Sequence, residues 1–351
     1  MITMQDIAVA AGVSQPTVSL VLNGHSGIVR ISEKTRNHIL AAAKKLGYTK
    51  NALALAVKTG KTNIIGMVCL LSSKHVPNIL SGFNSRLQEK GYLMKLFGIV
   101  YEEPEEFERS LRQCIEQRVA GMACISIKRE HLMLLKPGLD KAGIPLVCID
   151  SFCRLPNVPN IHSDDCNGMR KIVKYITGLG HRKIGYILNF HPRNPERMLE
   201  DANTRFEGFK AGMKEAGLPF DKNKVACISP MSRITPEELV TLDRLYDLFN
   251  PTALVCCSDI AAMKVLHWAY KRRIRVPDTL SVTGFAGLSE CNITAPSLTT
   301  MAQPFGEMGS YAAETIIHLS AGKKGKGKFF PVELVPGEST GPMIQSDKEK
   351  G

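Results

Sequence analysis

Acidic residues are almost missing from the first 62 positions of this 351-residue chain. Only Asp6 and Glu33 stand there against Arg30, Lys34, Arg36, Lys44, Lys45, Lys50, Lys58 and Lys61. Half of the formal charge of +12 therefore lies in less than a fifth of the length. A solvated face mixes both signs, so the shortage points to a polyanion such as nucleic acid. Long apolar runs are lacking too. None approaches the ~20 residues of a membrane span, and Met1–Asp6 has no basic segment leading into an apolar one, as a secretory signal would. The expectation is a cytoplasmic protein with no membrane partner. The ten cysteines form no C-x-x-C pair and no Cys/His cluster at zinc spacing. Most lie in apolar runs such as Met67–Leu70 and Leu254–Cys257, which fits buried reduced thiols. A G-x-S-x-G elbow, a Walker A loop, an H-E-x-x-H pair and a G-x-G-x-x-G after a strand are all missing. His162, Asp164 and Asp165 are close in sequence, but Asp165 reads as the cap of a helix starting near Cys166. No enzyme, cofactor or metal is expected.

What is present begins with three short helices. Thr3 and Asp6 fit a capping box, and Ile7, Ala8 and Ala11 continue a helix that Gly12 can end. Ser14 caps a second helix with Val18, Val21 and Leu22 inside, and Pro16 is tolerated in its first turn. Two helices joined by Ala11-Gly-Val-Ser14 make a helix-turn-helix. A third runs from Ser32 through Ile39, Leu40, Ala43 and Leu46 to Gly47. With the charge, this predicts a DNA-binding unit.

From Asn63 the pattern changes. Apolar runs at Ile64–Leu70, Leu93–Phe97, Met122–Ile127, Pro145–Asp150, Ile184–Leu188, Ala253–Cys257 and Leu280–Phe285 alternate with amphipathic stretches near 78–90, 104–117, 166–179, 200–216, 236–249 and 259–272. Such alternation predicts parallel sheets covered on both faces, and the length calls for two α/β subdomains. A second basic stretch, Gly322–Lys328, reads as a solvated loop.

Met4-Gln-Asp-Ile-Ala8, Ala11-Gly-Val-Ser14, Thr17-Val-Ser19, Val21-Leu-Asn23, Ser32-x-x-Thr35-Arg36 and Leu46-Gly-Tyr48-x-x-Asn51 resemble the headpiece of the lactose-repressor (LacI/GalR) family. Gly91-Tyr92, Leu179–Tyr186, Arg205-Phe-Glu-Gly208-Phe, Ser258-Asp259, Val276-Pro-Asp278, Ser281–Phe285 and Pro296–Thr300 are similar to its core, which is like a periplasmic sugar-binding protein. The resemblance implies an all-α headpiece over 1–49, a hinge helix and linker over 50–62, and a two-lobed α/β core over 63–345. Its first lobe would comprise about 63–161 and 291–322, its second about 162–290 and 323–345. It also implies a transcriptional regulator, most often a repressor, that binds a pseudo-palindromic operator as a homodimer and answers to a small sugar-like effector. A sugar-binding protein without regulatory role is the alternative.

Carried over by position, Gln15, Pro16 and Leu20 fall where the family reads bases, and Thr3, Ser14, Thr17, Ser19 and Asn23 where it holds phosphates. Small hydroxyls at a helix N-terminus suit phosphate. Leu20 stands where Arg is common; with Pro16 it can touch only a thymine methyl, which leaves Gln15 as the polar reader. Asn51, Ala54 and Val57 fall in the hinge, Val57 at the residue that wedges into the minor groove. For the effector, strand C-termini facing a cleft are the expected place. Arg205, Asp259, Ser258 and Asp150 are candidates there, with Leu71, Ser72 and Asn78 at the first strand–helix crossing. Asp259 could equally cap the helix it begins. Ala286 replaces an Asp that commonly clamps a sugar's hydroxyl pair.

Overall fold

The computed structural model describes residues 2–22, 31–48, 62–100, 103–151, 155–191, 194–198, 200–230 and 233–343. The chain divides into two units, Met1–Thr62 and Asn63–Gly351.

In the first, helices α1 (Met4–Ala11), α2 (Gln15–Leu22) and α3 (Glu33–Lys45) form a three-helix unit. The capping box forms: the Asp6 amide donates to Thr3 Oγ1 at 3.3 Å, and the Thr3 amide donates to the Asp6 carboxylate at 2.7 Å. Gly12 ends α1 at φ +62°, a left-handed conformation that glycine adopts without a Cβ penalty. Ser32 caps α3 by accepting from the Thr35 amide at 3.1 Å. Ile7, Val18 and Ile39 have no solvent exposure, one from each helix, and Ala8, Ala11, Val21 and Ala43 close the core around them.

The second unit holds two sheets. The first is built from β1 (Ile64–Leu70), β2 (Leu93–Ile99), β3 (Gly121–Ile125), β4 (Leu146–Ile149) and β5 (Asn160–Ser163), joined by α4 (Val76–Glu89), α5 (Pro104–Glu116) and α6 (Arg129–Lys141). The second is built from β6 (Ile184–His191), β7 (Asn194–Met198), β8 (Val225–Ile228), β9 (Ala253–Cys256), β10 (Ser281–Ala286) and β11 (Thr299–Ala302), with α7 (Asp165–Gly178), α8 (Glu200–Glu215), α9 (Pro236–Phe249) and α10 (Asp259–Lys271). Then α11 (Phe305–Ser320) and β12 (Lys328–Phe330) return to the first sheet, and β13 (Glu333–Val335) to the second. The first sheet has the order β12-β5-β4-β3-β1-β2 with every pairing parallel. The second has the order β13-β11-β10-β9-β6-β7, with β8 also on β6.

The sheets correct the expected lobe limits. Strand Thr299–Ala302 pairs with β10 in the second lobe, and Lys328–Phe330 pairs with β5 in the first. The chain therefore changes lobe at Asp164, at 303–304 and at 331–332, rather than near 161, 290 and 322. Periodicity missed this because these strands are three or four residues long and carry polar side chains. The sequence reading also named no element for α6, which contains Pro137. Its buried face of Leu132, Leu135 and Leu139 overrides that poor local propensity. Helices α4 and α11 pack at glycine contacts: a Cβ on Gly82 would overlap the Gly306 carbonyl, and one on Gly309 the Ile79 carbonyl.

Of nine described cysteines, seven are buried, as expected; Cys166 is half-buried and Cys227 exposed. Among the described residues no helix is long and apolar enough to cross a membrane.

Candidate nucleic-acid interface and effector site

Burial of Val18 and Val21 fixes the rotation of α2. At 100° per residue, Pro16, Ser19 and Leu20 then fall on the opposite side, with Gln15 at its margin. Gln15 and Pro16 are exposed and Ser19 and Leu20 half-buried, so the side chains expected to read bases share one outward surface. Thr3 and Ser14 are exposed and Thr17 half-buried. Ser14 Oγ accepts from the Thr17 amide at 3.4 Å and shares a 2.8 Å hydrogen bond with Thr17 Oγ1, which holds both hydroxyls at the N-terminus of α2. Asn23, Asn51, Ala54 and Val57 lie outside the described residues.

In the core, polar side chains gather where strands end and the chain changes lobe. Arg205, from α8, is 5 % exposed. Its Nε donates to Asp165 Oδ2 at 2.7 Å, and its two Nη donate to the Cys257 carbonyl at 2.9 Å and to Gln303 Oε1 at 3.2 Å. The guanidinium carbon lies 4.3 Å from the centre of the Phe285 ring. Gln303 Nε2 donates to Ser163 Oγ at 2.6 Å, and Ser163 Oγ donates to Asp165 Oδ1 at 2.5 Å. Ser163, Asp165 and Gln303 sit at two of the three lobe crossings, so Arg205 ties the crossings together. Asp165 does not cap α7; Asp164 does, accepting from the Asn167 amide at 3.3 Å.

Across the junction, Asp150 Oδ2 lies 3.1 Å from His75 Nε2 and accepts from Ser126 Oγ at 3.4 Å. Ser126 and Asp150 follow adjacent strands at φ +54° and +49°. Non-glycine residues held there store strain, which collects at ligand sites. Asp150 Oδ1 and Asn189 Oδ1 are buried with no hydrogen-bond partner among the described residues. Two open acceptors at strand C-termini are what a ligand bearing hydrogen-bond donors would meet.

Asp259 is a correction. It has no solvent exposure, and it does not cap α10. Its Oδ2 accepts from the Leu288 amide at 2.8 Å and its Oδ1 from Thr300 Oγ1 at 2.5 Å, anchoring the turn after β10. Ser258 caps α10 instead, accepting from the Ala261 amide at 3.2 Å and from Asn189 Nδ2 at 2.9 Å. Leu71 and Ser72 are exposed at the start of the β1–α4 connection, and Asn78 is exposed in the first turn of α4.

Residues 3–51 match the model of bacterial regulatory proteins of the lacI family, and residues 173–340 match a periplasmic binding protein-like domain. The HTH-type transcriptional regulator DegA of Bacillus subtilis is 30 % identical over 97 % of this chain and 98 % of its own. The chain belongs to the lacI family. The HTH-type transcriptional repressor PurR of Haemophilus influenzae is 28 % identical over 96 % of each chain. A lac repressor dimer bound to operator and the anti-inducer ONPF shares the fold at a TM-score of 0.78 and 22 % identity, covering 97 % of this chain and 99 % of its own. A CelR–cellobiose complex does so at 0.69 and 24 %, covering 97 % and 100 %. Members of this family are transcriptional regulators, not enzymes.

Within this lacI-family core, sequence reasoning overlooked His75, Ser126, Asp165, Asn189 and Gln303. The signal for Ser126 and Asn189 was there: each is a polar residue at or just past the end of an apolar run. Ala286 sits at φ +137°, a region that L side chains rarely adopt, and no carboxylate replaces the missing clamp at that position.

The two junction carboxylates are pushed apart. Burial raises the Asp165 carboxyl to about 6, with the Asp150 charge adding to the push and Arg205 opposing it. Burial pushes Asp150 up as well, but its hydrogen bond and attraction to His75, helped by Arg205, hold it below the ordinary carboxylate value. A carboxyl raised on folding binds a proton in the native state that the unfolded chain has already released. Between pH ~4 and ~6 its contribution to stability therefore falls as pH rises, by up to about 3 kcal/mol. Urea unfolding of wild type and Asp165→Asn at pH 4.5 and 7 checks this: the difference between the two proteins should change with pH in that sense. A constant difference would remove Asp165 as the titrating group.

Proposed function

We propose that the chain is a cytoplasmic, sequence-specific repressor that binds a pseudo-palindromic operator as a homodimer, with an effector held between the lobes. The observation that carries this reading is the outward surface of α2, where Gln15, Pro16 and Leu20 stand clear of a packed three-helix core. Two-fold protein symmetry calls for matching half-sites. The effector presents hydroxyl or similar donors to Asp150 and Asn189, and it acts only through its different affinity for the two lobe arrangements. The lobe limits of the function follow the sheets, with Arg205 serving the crossings and the effector together.

Selection of binding sites from random duplex DNA with the full chain tests this. An inverted repeat should emerge, with thymine at the positions facing Leu20 and Pro16. Gln15→Ala should lower affinity for that site by about 1–3 kcal/mol and relax one position. Uniform recovery of all sequences would favour a structural DNA binder, and binding unchanged on deletion of residues 1–60 would reject the headpiece as reader.

A further inference from the structure

The Gly322–Lys328 segment joins α11 to β12 and belongs to neither site described above. All strands of the first sheet are parallel, so Lys328, which opens β12, lies at the sheet end where β1 begins and the chain enters the core. Lys90 and Arg118 are exposed in connections at that same end, and Lys141 is exposed as the last residue of α6. The Leu93 amide donates to the Asn63 carbonyl at 2.9 Å, and the Ala120 amide to the Ile64 carbonyl at 2.8 Å, which brings the Lys90 and Arg118 turns beside the entry point. Acidic groups there are few, and two are engaged: Glu89 with Arg86 at 2.8 Å and Asp140 with Lys136 at 2.5 Å.

The segment is fitted rather than loose. A Cβ on Gly325 would press on Thr315 and Leu319 of α11, and one on Gly327 would run into the Asn160 carbonyl. Tyr311 Oη donates to the Lys326 carbonyl at 3.4 Å, and the Lys328 ammonium lies 4.3 Å from the centre of the Phe330 ring. Glycines thus face the protein, and Lys324, Lys326 and Lys328 alternate with them, exposed. No acidic residue lies between 321 and 332. A row of lysines held outward by glycine on a packed backbone is a surface for a regular anionic lattice.

We propose that this lysine row is a second, sequence-independent DNA surface, which takes the phosphate backbone of duplex flanking the operator. The inference rests on the headpiece binding DNA: headpiece and core are one chain, so a duplex held by the first is at high effective concentration for the second. The tether favours flanking DNA over a lipid surface.

The test compares the full chain with a K323Q/K324Q/K326Q variant on a duplex obtained by selection, prepared at 20 and at 60 base pairs. Lys328 is left in place because it packs on aromatic rings. On the long duplex the slope of log affinity against log salt should be shallower by about 2–3 in the variant, since each lost phosphate contact removes about 0.9. Affinity at low salt should fall at least about tenfold there, and the short duplex should bind both proteins alike. Equal slopes on the long duplex, with operator binding intact, overturn the proposal alone. So does an equal loss on both lengths, or a variant defect confined to phosphatidylserine vesicles. Failure of the wild type to bind either duplex overturns the headpiece reading and the proposal with it. An unchanged melting temperature establishes that the variant is folded.

Discussion

Arg205→Ala should destabilise the core by about 3–5 kcal/mol, because removing one partner of a buried ion pair leaves the other charge without compensation. Asp165 has no side-chain exposure, and with Arg205 gone it keeps, among the described residues, only Ser163 and a long contact from Gln303. The Cys257 carbonyl and Gln303 Oε1 each lose the Arg205 hydrogen bond in the same step. Chemical denaturation of the chain measures the effect. An Arg205→Met/Asp165→Asn double variant should be markedly less impaired than the single one, since neither buried charge remains. A loss under 1 kcal/mol in Arg205→Ala would mean that water or a neighbour replaces the guanidinium, and that the crossings do not depend on it.

Ile39→Ala is the second large effect expected, at about 2–5 kcal/mol. Ile39 is fully buried where α3 meets α1 and α2. A unit this small buries too little surface to hold more than a few kcal/mol of stability. The substitution should therefore unfold the headpiece at 25 °C and abolish operator binding. The core transition should stay where it was, because the units have separate hydrophobic cores. Amide exchange in α1–α3 reads the first result and calorimetry the second. Persistent protection of α3 would show that other contacts carry the headpiece.

The headpiece was largely legible in the sequence because its determinants are local. The Thr3–Asp6 box, Gly12, Ser14 and Ser32 each fix a helix end within three or four residues of themselves. The long strands of the core were legible for a similar reason, since their apolar runs need no partner to be seen. The junction was not. Asp165 reads locally as a helix cap, and only a guanidinium forty residues on gives it another role. Asp259 likewise looks like a cap or a ligand acceptor until Leu288 and Thr300 fold back onto it. The lobe limits failed where strands shrink to three or four residues and pairing is decided by segments over 150 residues apart, as for Lys328 beside Ile161.

The three lobe crossings also set an order of events during synthesis. Helix α11 docks on α4 through Gly82 and Gly309, yet about 215 residues of chain separate its first residue from the end of α4. At the usual ~5–20 residues per second, roughly 10–40 s pass between the two on the ribosome. Through that interval the α11-facing side of α4 waits uncovered. The lobe begun first is thus finished nearly last, when residue 330 has emerged.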